Sequence, residues 1–221
     1  MTFINGILRS LAAISLSVLL GAPAAAKTAI DSPPWLQADF AGQAASADAR
    51  YAASRVLSAS DHQGLPFVIV DKKDARIFVF EPNGQLRGAS AALLGLASGD
   101  HSVPGIGARE LSRILPIERT TPAGRFLSQP GRNLQGEDVV WVKHSEGLAI
   151  HRLRPGSSLE QRAQRLASST PDDNRISLGC VVVPVAFYQS VVAPVLGKNF
   201  SVVYVLPETL PVQALFDALA Q

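Results

Sequence analysis

Between residues 66 and 95 the chain sets short apolar runs against turn-forming residues: FVIV, DKKD, ARIFVF, EPNG, QLRGASAALLG. β-branched and aromatic side chains fill the runs, and Asp, Lys, Asn and Gly fill the gaps, which predicts three strands in an antiparallel meander. The turn at Thr120–Phe126 (TTPAGRF) enters a further strand. VVWVKH and LAIHRL then flank Ser145-Glu146-Gly147 as a second hairpin, and SVVYVL reads as a last buried strand. Helical spacing is confined to shorter stretches. Ala47–Ala59 places Ala49, Ala52, Ala53 and Val56 on one face behind a Ser46 N-cap. Residues Arg154–Ile176 interrupt the strands with a helix opened by the capping box Ser157-Ser-Leu-Glu160 and stopped near Ser168. After Pro184, Val185, Tyr188, Val191 and Val192 fall on one side of another helix, and Val212–Ala220 forms a short terminal one. Residues 95–120 make a long glycine-rich connection with a helical turn near Arg109–Ile114.

The opening stretch changes the picture by setting the compartment. One charge, Arg9, precedes ten uncharged residues, Leu11–Leu20, and then GAPAAA with small residues at Ala24 and Ala26. That is the layout of a secretory signal peptide, with cleavage expected after Ala26. Ten apolar residues are too few to span a bilayer, which needs roughly 20. The expectation is therefore a protein secreted to the periplasm or cell wall, with no membrane span in the mature chain. Taking 26 residues from 221 leaves 195, enough for one sizeable core. Without Arg9, 19 of the 20 basic residues face 18 acidic ones, and no basic run suggests nucleic acid as a partner. The expected organisation is a signal peptide over 1–26, a lead-in and packing helix over 27–60, and the main folded domain over 61–221.

An exported chain with one cysteine cannot close an internal disulfide. Cys180 is then a small hydrophobe, half of an intermolecular bridge, or a reactive thiol. A thiol attacks carbonyls as thiolate, so a nearby imidazole is needed to take its proton. The four histidines, His62, His101, His144 and His151, all precede Cys180. Gly179 before the thiol lets backbone approach a substrate closely, so amides of Gly179 and Cys180 could form an oxyanion pocket.

Four features in order carry a resemblance: the VIVD…IFVFEPNG…LLG meander, Thr121-Pro-Ala-Gly-Arg-Phe126, Ile150-His151 on a strand, and Ser177-Leu-Gly-Cys180. Together they resemble the L,D-transpeptidase catalytic domain family, cysteine enzymes that remodel bacterial peptidoglycan. The resemblance implies a mainly β fold, an L,D-transpeptidase-like β-sandwich with a few peripheral helices. It implies Cys180 as nucleophile, His151 as general base, and the Arg152 carbonyl holding the imidazole. Gly179 would serve the oxyanion pocket, with Ser177 as support. The 25 residues between His151 and Ser177 are explained as an inserted helical flap, Ser158–Ser168. No cofactor is implied, and the implied partners are peptidoglycan stem peptides.

The other histidines read as structural: His144 as an exposed strand-end residue, His101 as a turn residue, His62 as a surface loop residue. No His-x-x-x-His or His-Glu-x-x-His spacing occurs, which predicts no metal site. Arg162 and Arg165 on the flap could attract stem-peptide carboxylates, and Asp172-Asp173-Asn174-Arg175 could pin the loop before the cysteine through an Asp–Arg pair. Alternatives from the same residues are an L,D-carboxypeptidase or amidase, and a peptidoglycan-binding protein without turnover.

Overall fold

The computed structural model describes residues 37–156 and 158–219. The expected signal peptide, its cleavage point at Ala26 and most of the lead-in lie outside the described residues, as does Ser157 of the expected capping box.

Helix α1 (Ala47–Ser58) starts where the pattern places it, with Ser46 Oγ accepting the Ala49 amide at 2.9 Å. Its Ala49, Ala52, Ala53 and Val56 are fully buried. The meander follows as β1 (Phe67–Asp71), β2 (Arg76–Phe80) and β3 (Leu86–Ala91), then a short β4 (Leu94–Gly95). The connection to β5 (Gly124–Arg132) carries three 3₁₀ turns: Ile106–Ala108, Leu111–Arg113 and Pro116–Glu118. The second hairpin is β6 (Asp138–Lys143) and β7 (Leu148–Arg152), and β8 (Arg175–Ser177) and β9 (Val181–Val183) flank the cysteine. Strand β10 (Ser201–Val205) precedes a terminal helix over Gln213–Leu219.

Eight of these strands form one sheet in the order β3-β2-β1-β10-β5-β6-β7-β9, and β4 pairs with β8. The β1–β10 and β7–β9 pairs are parallel. Just beyond β3, the Leu93 and Val182 backbones exchange hydrogen bonds of 2.8 and 2.9 Å, which joins one end of the sheet to β9 at the other and nearly closes it. One core therefore collects side chains from distant parts of the sheet: Val68, Ile77, Val140, Ile150, Val181 and Val203. The opposite face of β1, β2 and β10 presents Phe67, Phe78, Phe80 and Tyr204 to α1 in a second core. Burial on both faces is why these strands read as continuous apolar runs instead of alternating. The fold is mainly β, with few and short helices.

Two expected elements differ. The flap is not one helix: a 3₁₀ turn (Ser158–Glu160) and α2 (Arg162–Ala167) are separated by Gln161, held at φ +47°. A left-handed residue cannot continue the helical ladder, so the segment breaks there. The helix after Pro184 runs as α3 (Val185–Phe187), a π turn (Tyr188–Val192) and α4 (Ala193–Leu196). Pro194 has no N–H to give, and the wide turn lies just ahead of it. Tyr188 and Val192 face the core as the spacing predicts, while Val185 is exposed.

The long connection is fastened from below by Lys72. Its buried ammonium donates to Gly99 O at 2.5 Å, Asp100 Oδ1 at 2.8 Å and Thr121 O at 3.0 Å, and lies 3.3 Å from Glu208 Oε1. Burial by itself would raise the Asp100 carboxyl. Hydrogen bonds from Lys72, Thr209 and the Glu208 amide outweigh that and hold it well below the usual carboxylate range. Arg175 completes the cluster by pairing with Glu208 and donating to Lys72 O at 3.1 Å. The Asp–Arg pair expected before the cysteine is thus replaced by this Glu208 pair, because β8 delivers Arg175 beside the chain leaving β10. Lys72→Met should leave buried Asp100 without its cation and the Gly99 and Thr121 carbonyls without a donor, and cost about 3–5 kcal/mol of stability, read by urea denaturation.

Candidate active site

Strand β7 carries the imidazole and the start of β9 carries the thiol. Their parallel register sets Ile150 beside Val181 and His151 beside Val182. Ile150, Val181 and Val183 point into the closed core, so His151 and Val182 point to the other face. Continuing the register back by one residue sets Cys180 beside Ala149, on the same face as His151. One strand over and two residues along corresponds to about 8 Å between Cα atoms, given ~4.8 Å between strands and ~3.3 Å per residue. Side chains leaning toward one another across that gap can meet.

The imidazole is oriented by its own strand. His151 Nδ1 lies 2.9 Å from Arg152 O. A carbonyl only accepts, so Nδ1 carries the hydrogen and Nε2 keeps its lone pair. Burial pushes the ring's pKa down to about 4. The Arg152 carbonyl opposes that shift, and the positive charges of Arg154 and Arg162 add to it. The ring is a neutral base with its acceptor nitrogen available.

The thiol donates to Gly147 O at 3.3 Å, at the end of the β6–β7 turn. Burial raises its pKa, and this outweighs the opposing effects of the Ala149 amide and the Arg154 charge. The resting pair is therefore neutral thiol and neutral imidazole. Gly147 turns at φ +68°, and the 3₁₀ turn at Gly107 packs so closely on this loop that a Cβ there would lie 2.3 Å from Ser145 O. The partner of the thiol is thereby held by the long connection.

The loop ahead of Cys180 is closed by Ser177. Ser177 Oγ accepts the Gly179 amide at 3.0 Å and donates to Cys180 O at 2.6 Å. The Gly179 amide, expected to share in an oxyanion pocket, is thus already taken, and the Cys180 amide is the one left to such a pocket. Gly179 sits at φ +134°, where a Cβ would come within 2.9 Å of Thr120 O.

Arg152 also extends its guanidinium to Glu137 Oε1 at 3.3 Å, and Arg154 reaches Glu137 Oε2 at 2.6 Å. Of the two flap arginines, Arg162 pairs with Glu160 at 2.6 Å and acts on the imidazole. Arg165 is committed to the carbonyls of Glu160 and Asp173. Sequence reasoning missed Arg154, Glu137 and Gly147. Only position marks them, since Arg154 stands three residues after His151 and Gly147 ends a turn. His144 is exposed, its ring set edge-on to Trp141. His62 is a correction: it is buried, its Nε2 lies 3.0 Å from Pro82 O, and its ring packs on Phe67, because the loop folds under the meander. Among the described residues no group of three or more His, Cys, Asp or Glu could hold a metal ion, and no helix is long and apolar enough to cross a membrane.

No family model matches the chain, and no curated protein does. Solved structures share a distant likeness. The helical cell shape determining protein Pgp2 from Campylobacter jejuni is 17% identical over 65% of this chain and 48% of its own, with a TM-score of 0.42. An L,D-transpeptidase from Xylanimonas cellulosilytica is 17% identical over 68% of this chain and 67% of its own, with a TM-score of 0.38. The catalytic domain of the E. faecium L,D-transpeptidase is 16% identical over 65% of this chain and 98% of its own, at 0.33. The chain spans about half the length of the Pgp2 structure it matches.

Two pH effects follow. Iodoacetamide should alkylate Cys180 with a midpoint above that of a free thiol, about 8.5, and the rate at pH 7 should fall below that of free cysteine. The folded imidazole has the lower pKa, so between pH 6.5 and about 4 the unfolded chain binds a proton that the folded chain does not. The His151 contribution to stability should therefore decline as pH falls through that window and level off below it. His151→Asn should flatten this slope in denaturation curves taken at pH 4–7.

Proposed function

We propose that this protein is a cysteine acyltransferase acting on peptidoglycan stem peptides by L,D-transpeptidation. The observation that supports it most is the pairing of β7 with β9, which sets His151 and Cys180 on one face, with the ring's Nδ1 committed to the Arg152 carbonyl and Nε2 left as the acceptor nitrogen. The ordered motifs from the meander to Ser177-Leu-Gly-Cys180 add the substrate class by resemblance.

The thiol turns from Gly147 O toward His151 Nε2, which takes its proton as Sγ attacks the carbonyl of the L-to-D peptide bond in a tetrapeptide stem. The tetrahedral oxyanion accepts a hydrogen bond from the Cys180 amide. The imidazolium then returns the proton to the departing amine of D-Ala, and the C–N bond breaks to leave a thioester on Cys180. An amine of a neighbouring stem attacks the thioester, gives its proton to His151, and restores the thiol as the new amide forms. Water in the same place gives an L,D-carboxypeptidase. Because burial keeps both groups neutral at rest, proton transfer accompanies attack instead of preceding it. The charges of Arg154 and Arg162 favour the developing anion. Export to the periplasm or cell wall places the enzyme with this substrate.

The test is incubation of purified tetrapeptide muropeptides with wild type, Cys180→Ala and His151→Ala, with products read by chromatography and mass. Wild type should release D-Ala and form crosslinked dimers. Cys180→Ala should form neither, and His151→Ala should be slower by roughly 10²–10⁴-fold. Muropeptides retained by the wild-type protein but returned unchanged would make it a binding protein.

A further inference from the structure

The turn Thr121-Pro-Ala-Gly-Arg-Phe126 lies outside the Cys180–His151 pair, yet its first residue reaches the cysteine loop. Thr121 is completely buried. Its Oγ1 is 2.8 Å from the Gly95 amide and 2.7 Å from Gly179 O. An amide can only donate, so the hydroxyl accepts from Gly95 and its single hydrogen is committed to the Gly179 carbonyl. That carbonyl belongs to the same planar trans peptide as the Cys180 N–H, and in such a unit C=O and N–H point in opposite directions. Holding the Gly179 oxygen against Thr121 therefore aims the Cys180 N–H away from it.

The surroundings leave this peptide little freedom. Ser177 Oγ fixes the polar group on each side of it, the Gly179 amide and the Cys180 carbonyl. Gly95 and Gly179 pack on the backbone ahead of Thr121, with ideal Cβ positions 2.3 Å from Arg119 O and 2.9 Å from Thr120 O respectively. The Thr121 main chain is in turn held by Lys72 Nζ at 3.0 Å. The Gly179 amide, the Gly179 carbonyl and the Cys180 carbonyl each have a protein partner, and the Cys180 amide is turned away from the Gly179 carbonyl.

The geometry points to Thr121 as a positioning residue for acyl transfer, whose hydroxyl sets the direction of the Cys180 amide toward the substrate oxyanion. This rests on the acyl-transfer reading of Cys180. The hydroxyl touches neither the thiol nor the imidazole, so its role separates from thiol activation. Alkylation by iodoacetamide is a displacement at carbon with no oxyanion, and it needs the thiolate alone. Acyl transfer needs the thiolate and the aimed amide.

The experiment compares wild type, Thr121→Val and Thr121→Ser in the full chain by two readouts: kcat and KM on tetrapeptide muropeptides, and the iodoacetamide rate at pH 9. Thr121→Val should lower kcat roughly 10- to 100-fold with KM and the alkylation rate within about twofold, since small misplacements at a reacting centre cost that much. Thr121→Ser should restore kcat to within a few-fold of wild type. If Thr121→Val does not fold, Thr121→Cys, with its weak S–H donor, replaces it in the same measurements. An unchanged kcat overturns the inference, and so does an alkylation rate that falls in parallel with it, because the thiol itself would then have moved. Failure of Thr121→Ser to restore kcat overturns it as well. A wild-type protein that alkylates but never turns over muropeptides removes the acyl-transfer reading and this inference together.

Discussion

The parallel pairing of β7 with β9 is the constraint on which the site depends. Strand side chains alternate between faces, so a slip of one residue would turn Cys180 or His151 into the closed core and bring Ile150 or Val181 out of it. Ile150, Val181 and Val183, packed with Val140 and Val203, oppose that slip. The apolar side of these strands thus fixes the place of the polar side. Closure of the sheet through Leu93 and Val182 reinforces the register, since Val182 is hydrogen-bonded on its outer edge as well.

Burial then decides the chemistry of the pair. A thiolate beside an imidazolium would place two charges where burial already raises one pKa and lowers the other. The neutral pair avoids that cost at rest, and the Arg152 carbonyl keeps the ring in the tautomer that accepts a proton. Glu137 gathers Arg152 and Arg154 beside the imidazole, so positive charge stands near that ring without being fully exposed.

Much of this was legible in the sequence because it depends on local periodicity. The meander, the second hairpin, α1 with its Ser46 cap, and the strand placement of His151 follow from short apolar runs, helical spacing and turn chemistry. What was not legible depends on which distant segments meet. The break at Gln161 leaves no trace in a helical pattern of residues. His62 reads as a surface residue beside Asp61 until the loop is seen folded against Pro82 and Phe67. Lys72 reads as part of a turn, yet its ammonium is enclosed by segments near residues 99, 121 and 208. Thr121 reads as part of a turn, whereas its hydroxyl serves a carbonyl 58 residues further along.

The choice of a charged group under that turn follows from what it must hold. A buried ion pair is weak support for stability, since apolar residues of similar volume often do as well. Lys72, however, carries three hydrogens and spends them on Gly99 O, Asp100 and Thr121 O. An apolar replacement would leave two buried carbonyls without donors, and each would seek a partner by shifting the chain. The ammonium fixes the Thr121 main chain, the Thr121 hydroxyl fixes the Gly179 carbonyl, and the planarity of one peptide carries that order to the Cys180 amide. A continuous chain of hydrogen bonds thus connects the turn after β1 to the loop that presents the thiol.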